Sequence, residues 1–198
     1  MNEERDEAIV LRVRGNRYAL LAKGAGRFDA MYFARKQSVS LSPGTVISFL
    51  GQRSSYSLLT LSEVVVEDVP MIWGRHDIHL LHYLLEVCYF FIPAGSGGRS
   101  LCRLLYELYQ SFYNFSDIFH KKLVVCKFLA HLGIIPDQEV FHSYAHQLLQ
   151  TPVDNKSILD LKLIPKEDVD VWLLWCIDFH PQGKWFKALP LLLTSEQI

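Results

Sequence analysis

The chain has 198 residues, of which 50% are hydrophobic and 21% are charged, and its formal net charge is −1 at pH 7. This hydrophobic content supplies a sizeable core and excludes a disordered polypeptide. Because the net charge is close to zero, the chain as a whole has no electrostatic field that would attract nucleic acid. Any such attraction must come from a local excess of positive charge.

Cysteine spacing and apolar runs limit the cellular context. The four cysteines (Cys88, Cys102, Cys126 and Cys176) are far apart and form no Cys-x-x-Cys pair, which argues against a zinc ribbon or a redox motif. The acidic N-terminus contains no apolar signal region, and the longest apolar run, Leu80–Ile92, is too short for a membrane span. We therefore expect a cytoplasmic protein.

The first third of the chain predicts a small β-barrel. Apolar and polar residues alternate with a period of two from Glu7 to Asp68, and turn signals such as Gly15-Asn16 separate the runs. Strands are predicted from Glu7 onward and then over 17–23, 28–35, 45–51 and 56–67. Five short strands fit a closed barrel of the OB type, and a small SH3-like barrel fits almost as well.

Alternation in the first strand also predicts which side chains share a face. Ile9, Leu11 and Val13 are expected to share one face of the strand. Arg12 and Arg14 are expected to share the other.

Charge in this segment is strongly unbalanced. Between residues 10 and 55 the only acid is Asp29, whereas there are eight basic residues, so eight minus one leaves seven positive charges. A cationic barrel surface attracts phosphates and releases counterions. The predicted DNA-binding residues are Arg12, Arg14, Arg17, Lys23, Arg27, Arg35, Lys36 and Arg53.

Aromatic residues are interleaved with these charges. Phe28 and Phe33 are expected in the core, because phenylalanine is usually buried. For Tyr18, Tyr32 and Tyr56, burial and stacking on exposed bases both stay open.

The remainder predicts an all-α helical bundle, so the fold class is α+β. Asp77 is expected to cap a helix that ends near Phe91, and the glycine-rich residues 93–98 are expected to form a flexible loop. Further helices are predicted over 99–113, 137–150, 155–163 and 169–179, with a tail over 185–193 that packs back. The predicted domains are a barrel over 1–70 and a bundle over 71–198.

The helix predicted between Asp117 and Gly133 is apolar on nearly every side, which is typical of a helix buried among other elements. His120, Lys127 and His131 share its one polar face. We expect this basic stripe to face outward.

Four segments resemble the RecO family of bacterial recombination mediators, and their order along the chain matches that family as well. The end of the central helix, Lys127-Phe-Leu-Ala-His-Leu-Gly133-Ile-Ile-Pro136-Asp137, is similar to a basic-Leu-Leu-x-x-Leu-Gly-Tyr-x-Pro-Asp signature of that family. Ala8-Ile-Val-Leu-Arg, Ala22-Lys-Gly-Ala-Gly-Arg27 and Tyr56-Ser-Leu-Leu-Thr-Leu-Ser-Glu-Val resemble its first strand, a turn and its last barrel strand. Where family members usually carry Phe-Glu, this chain has Val124-Val125, and it lacks their Cys-x-x-Cys zinc module.

The resemblance implies a non-enzymatic DNA repair and recombination mediator without a metal or cofactor, placed with the bacterial nucleoid. Such proteins bind single- and double-stranded DNA without sequence specificity, anneal strands, and load a recombinase on strands coated by single-strand DNA-binding protein. The implied partners are the acidic, Phe-ending tail of that protein and a RecR-like protein. The expected tail-binding residues are Lys127, Lys122, Arg103 and Arg99.

Other readings of the chain are weaker. His142 and His146 have a metal-compatible spacing, as do His76, His79 and His82, but no Glu follows His142 to complete a His-Glu-x-x-His motif, and ligation needs convergent partners. A Cys126 nucleophile is disfavoured by its apolar helix. The alternative function is a protein-interaction scaffold that has lost DNA binding.

Overall fold

The computed structural model describes residues 5–33, 41–53, 59–69, 77–96, 98–110, 117–152 and 164–194, with the backbone alone for residues 52, 53 and 110. The chain divides into two compact units. The first comprises Met1–Ile72 and Cys88–Leu105, and the second comprises Trp73–Val87 and Tyr106–Ile198. The predicted boundary at residue 70 differs from this division, because residues 88–105 group with the barrel.

The N-terminal strands form a closed five-stranded barrel in the order β1-β2-β3-β5-β4. The strands are β1 (Asp6–Arg14), β2 (Arg17–Ala22), β3 (Gly26–Met31), β4 (Val46–Arg53) and β5 (Leu59–Asp68). β3 pairs in parallel with β5, whereas β4 closes the barrel antiparallel to β1. This confirms the predicted OB-like barrel.

A β-bulge changes the expected facing of the first strand. Val10 pairs with Leu20 and Arg12 with Ala19, so Leu11 is an extra residue on β1. Val10 and Val13 consequently both contact the barrel core, and the prediction that Ile9, Leu11 and Val13 share a face is wrong. The interior cluster consists of Ala8, Val10, Tyr18, Leu20, Ala22, Ala30, Leu41, Ile47, Phe49 and Leu61.

One end of the outer barrel face is covered by residues from the helical segment. Ile9 and Leu21 pair across β1 and β2 and point away from the interior cluster, yet both are fully buried. Gly98 lies so close to Leu21 that a Cβ atom there would stand 2.9 Å from the leucine side chain. The Cys102 thiol contacts the Leu21 carbonyl at 3.7 Å. These contacts explain why 88–105 belong to the barrel unit.

The described residues also form six α-helices and one short 3-10 helix. The α-helices are α1 (Ile78–Phe91), α2 (Arg99–Gln110), α3 (Ile118–His131), α4 (Glu139–Gln150), α5 (Lys166–Phe179) and α6 (Leu189–Thr194), and the 3-10 helix is Gly183–Trp185. The helix predicted over 155–163 lies outside the described residues. Among the described residues, no helix combines the length and apolar character that crossing a bilayer requires.

The caps of α3 follow directly from its sequence. The sequence offers Ser116 or Asp117 as the N-cap, and the Asp117 carboxylate fills this role by accepting a hydrogen bond from the Phe119 amide at 2.9 Å. Gly133 has a φ of 71°, and the Ile134 amide donates to the Leu129 carbonyl at 2.9 Å. These are the features of a Schellman motif, so the predicted ends of the central helix are confirmed.

Helix α3 lies at the centre of the second unit and packs against α4 and α5. The Trp172 indole of α5 donates to the Ile134 carbonyl at 2.9 Å, and its ring meets Phe141 of α4 at a centroid distance of 6.0 Å. The apolar pattern of residues 137–150 predicts that Val140 and Phe141 are both buried. Phe141 is buried, which confirms the prediction, whereas Val140 is 44% exposed, so the prediction for it is wrong.

The C-terminal segment packs back as predicted. The Glu86 carboxylate accepts hydrogen bonds from the amides of Lys187, Ala188 and Leu189 at 2.6–2.9 Å. These amides lie at or just before the first turn of α6, where backbone N–H groups have no intrahelical acceptor. A negative charge at this end is also favourable to the helix dipole.

We expect Gly26→Ala to destabilise the protein by at least about 2 kcal/mol, because alanine is strained at a positive φ. Gly26 has a φ of 72°, and an added Cβ would stand 1.9 Å from the Ser96 carbonyl oxygen. Urea unfolding followed by circular dichroism measures the loss.

Two glycines supply matched controls. Gly15 has a φ of 57° but open space around it, so Gly15→Ala tests strain alone. Gly24→Ala tests neither strain nor contact, since its surroundings are open and its φ is ordinary. Equal losses for Gly26→Ala and Gly15→Ala would contradict the close approach to Ser96.

Candidate nucleic-acid interface

Strand register brings three predicted cations together. The β1–β2 hairpin turns at Gly15-Asn16, so Arg14 of β1 lies opposite Arg17 of β2. One step along the same face, Arg12 lies opposite Ala19, which pairs on its other side with Asp29 of β3. Directly opposed residues project to the same side of a sheet, so these side chains share the outer face of the barrel.

These residues form a cleft of about 180 Å³ on the first unit. Its lining residues are Arg12, Arg14, Arg17, Tyr18, Ala19, Asp29, Ala30 and Tyr89. Three guanidinium groups and one carboxylate leave the lining with a charge of three minus one, or plus two. The cleft is therefore a local cationic site on a nearly neutral chain.

Tyr89 of α1 contributes an aromatic wall that sequence reasoning missed. The Arg12 guanidinium lies 4.8 Å from the centre of its ring, and the Arg27 guanidinium lies 4.5 Å from it. Contacts of this kind are attractive and restrict the arginine side chain. The one local signal was the run Tyr89-Phe90-Phe91, which ends α1 with three aromatic residues.

The Arg27 guanidinium is bound to backbone carbonyls and is mostly buried. Its guanidinium donates to the carbonyls of Tyr89 and Ile92 at 2.7 and 2.9 Å, and its side chain is 13% exposed. These carbonyls lie at the C-terminal end of α1, where acceptors lack intrahelical donors and a cation is favourable. The predicted DNA-binding role for Arg27 therefore competes with a capping role.

The other predicted barrel cations are not in the cleft. Lys23 is exposed in the β2–β3 turn and lies near Cys102, whose pKa is raised to about 12 by burial despite the opposing effect of the lysine. Arg35 and Lys36 lie outside the described residues. Arg53 belongs to β4, but its side chain is outside the description as well.

The structure resolves most of the open aromatic assignments. Tyr18 belongs to the barrel core, and burial raises the pKa of its hydroxyl. Tyr32 is half-buried and packs edge-on against Tyr18 at 6.0 Å. Phe28 packs against the core as predicted. Phe33 is 56% exposed, so its predicted burial is wrong, and Tyr56 lies outside the described residues.

Phe33 lies next to the hairpin that carries the arginines. The Tyr32 amide donates to the Asn16 carbonyl at 3.0 Å, which holds the end of β3 beside the β1–β2 turn. Phe33 follows Tyr32 directly. Tyr32 is the last half-buried residue of this segment, and the Phe33 side chain that follows it is exposed to solvent.

Two of the four predicted tail-binding residues are buried. Lys127 is 3% exposed, and its ammonium donates to the carbonyls of Leu148 and Thr151, the latter at 2.7 Å. Lys122 is 1% exposed and pairs with Asp170 at 2.8 Å. The expectation that Lys127 faces outward is therefore wrong, because its charge satisfies the C-terminal carbonyls of α4.

The histidines of the predicted stripe are half-buried. His120 lies 3.7 Å from the Asp117 carboxylate at the start of α3. Burial lowers the pKa of His131, and nearby Lys127 lowers it further, while Glu107 acts in the opposite direction. The stripe of His120, Lys127 and His131 is therefore largely packed against other residues and is not an exposed basic face.

The other two tail-binding candidates are exposed. Arg99 and Arg103 lie four residues apart on α2, which places them on one side of the helix. Both belong to the first unit, whereas Lys122 and Lys127 belong to the second. The structure therefore divides the predicted set between two units.

The described residues bring together no group of three His, Cys, Asp or Glu side chains that would hold a metal ion. His142 is exposed, and the His146 imidazole contacts the Gln150 amide at 3.2 Å. The pKa of the Cys126 thiol is well above its usual range because the residue is buried. This thiol is protonated at neutral pH and a poor nucleophile.

A comparison with protein-family models finds no match to this chain, and a search of the curated proteins finds none either. The RecO resemblance accordingly rests on the motifs of the chain itself.

We expect Lys127→Met to destabilise the protein by about 1–3 kcal/mol, because it removes the ammonium donor from a buried carbonyl, that of Leu148, and from the partly buried carbonyl of Thr151. The loss should depend on pH. Burial lowers the pKa of Lys127 below its usual 10.5, with Glu107 partly opposing this shift. At pH values between the pKa of Lys127 in the folded protein and 10.5, this lysine binds more protons in the unfolded chain than in the folded protein. Its contribution to the free energy of unfolding therefore rises with pH in that interval.

Urea unfolding of both proteins at several pH values up to 10.5 measures this difference. The gap between the wild type and Lys127→Met should widen as the pH increases through the interval below 10.5. A gap that narrows there would show that burial does not disfavour the charged lysine.

Proposed function

We propose that the barrel cleft binds the phosphodiester backbone of nucleic acid, largely independently of base sequence. The observation that supports this most directly is the convergence of Arg12, Arg14 and Arg17 on one cleft. Guanidinium groups match phosphate geometry with paired donors, and neutralised phosphates release counterions. Arg12 is also restrained by Tyr89, which lowers the entropy lost when a phosphate binds.

Single-stranded DNA is the preferred form in this proposal. Exposed aromatic side chains beside a cationic groove stack on unpaired bases, which are unavailable in a duplex. Phe33 is exposed next to the arginine hairpin and has this position. The phosphates would lie along Arg14 and Arg17 while a base stacks on Phe33.

We further propose a mediator role in DNA repair and recombination, as the resemblance to RecO implies. The mechanism involves no covalent chemistry: the barrel holds one strand while a second strand or a recombinase is brought to it. A RecR-like protein and the acidic tail of single-strand DNA-binding protein are the proposed partners. Because Lys122 and Lys127 are buried, we assign tail binding to Arg99 and Arg103.

Fluorescence anisotropy with an oligothymidine tests DNA binding. We expect the wild-type affinity to fall linearly with salt on a logarithmic plot, with a slope of about −0.7 for each phosphate contacted. Arg14→Glu with Arg17→Glu should reduce affinity about tenfold or more and make this slope shallower by about 1–2. Both side chains are exposed, so the fold should tolerate the change.

Two further variants separate the contributions. Lys166→Glu with Lys184→Glu changes the net charge equally at exposed sites in the second unit and should leave affinity nearly unchanged. Phe33→Ala should weaken binding by about 1–3 kcal/mol without altering the salt slope, because stacking neutralises no phosphate. Absence of binding at low salt would favour the scaffold alternative.

A fluorescent acidic peptide that ends in phenylalanine tests the tail assignment. Arg99→Glu with Arg103→Glu should weaken its binding about tenfold, because two attractive charge pairs become repulsive. Lys127→Met should leave the affinity of the folded protein unchanged, since that ammonium is buried. If Lys127→Met weakened peptide binding more than Arg99→Glu with Arg103→Glu, the tail-binding site would include Lys127 instead.

A further inference from the structure

The cleft contains a carboxylate that phosphate binding does not use. Asp29 lines the same cavity as Arg12, Arg14 and Arg17, and among the described residues it is the only acid in the lining. A carboxylate repels phosphate, so at this place it opposes the proposed backbone contacts. It favours a ligand group that donates hydrogen bonds.

The geometry places Asp29 across a shallow slot from Arg12. The two residues are separated by Ala19 on the intervening strand, and Ala19 contributes only a methyl group. Neighbouring strands lie roughly 4.8 Å apart, so the two backbones stand roughly 10 Å apart. The slot therefore has a small apolar floor, a cation on one side and an anion on the other.

Asp29 retains acceptor capacity for a ligand. Its side chain is 52% exposed, and the Arg27 guanidinium stands 3.9 Å away, which is longer than a hydrogen bond. Arg27 directs another nitrogen to the carbonyls of Tyr89 and Ile92. Since a carboxylate offers about four acceptor sites, this distant pairing does not saturate it.

We propose that Asp29 accepts two hydrogen bonds from the Watson–Crick edge of a guanine, and so gives one position of the bound strand a base preference. This inference rests on the proposed function. Guanine presents two adjacent N–H donors, at N1 and N2, which match the two oxygens of a carboxylate. Adenine and cytosine present one amino group beside an acceptor, and thymine presents its single N–H between two carbonyls.

Single-stranded ligands make this edge available. In a duplex the Watson–Crick edge is occupied by the partner base, whereas unpaired strands expose it to protein side chains. The guanine preference therefore belongs to single-strand binding. The phosphate contacts of Arg14 and Arg17 stay independent of the base.

Anisotropy titrations of the full chain test this with three oligonucleotides of equal length. The first contains only thymidine, the second has isolated guanines in a thymidine background, and the third replaces each guanine by inosine, which lacks the N2 amino group. We expect the guanine oligonucleotide to bind about tenfold more tightly than oligothymidine. Inosine should lose most of this gain.

Two variants distinguish base recognition from simple repulsion. Asp29→Asn should abolish the guanine preference and raise affinity for oligothymidine, because the repelling charge is gone. Asp68 is an exposed carboxylate of β5 that does not line the cleft, so the variant Asp68→Asn should retain the guanine preference. If Asp29→Asn raises affinity for all three oligonucleotides by the same factor, Asp29 acts by charge alone and the inference is overturned.

The outcomes also separate this inference from the proposed function. Equal binding of the three oligonucleotides by the wild type would reject guanine recognition and leave backbone binding intact. No binding of any oligonucleotide at low salt would reject both.

Discussion

The capping of helix α1 by Arg27 organises the barrel unit. A helix ends with carbonyls that lack donors, and a buried end without partners is costly. Arg27 of β3 supplies these donors to Tyr89 and Ile92, while its own carbonyl accepts from the Gly95 amide at 2.8 Å. This reciprocal pairing joins the barrel to the end of α1 and brings Tyr89 to Arg12. The aromatic wall of the cleft thus depends on an arginine that does not itself line it.

The charge of the cleft is produced by strand pairing instead of by sequence proximity. Arg12 and Arg14 are two residues apart, and the hairpin turn adds Arg17 from the next strand. Each would be an ordinary solvated residue on an isolated strand. The same pairing adds Asp29 from β3, two strands away from Arg12. A cationic cleft with one acceptor follows from a sheet in which three strands share one outer face.

The two buried lysines show that the local environment determines whether a charged side chain is exposed to solvent or packed against partners. Lys122 and Lys127 lie on a helix that is packed on all sides, where an unpaired charge would be prohibitively costly. Both are retained because partners are present: Asp170 for Lys122, and the C-terminal carbonyls of α4 for Lys127. The segment that carries the RecO-like motif therefore includes a lysine that stabilises the bundle.

Local sequence predicted much of the secondary structure. Alternation predicted five strands, and the Asp117 and Gly133 caps of α3 are visible in the chain, because both depend on interactions within a few residues. Tertiary structure decided the rest. The bulge at Leu11 reversed the expected facing of Ile9, and burial removed Lys127 from solvent. Tyr89 reached the cleft although it lies more than seventy residues along the chain from Arg12, Arg14 and Arg17. Periodicity cannot specify such placements, since each depends on contacts between residues distant in the chain.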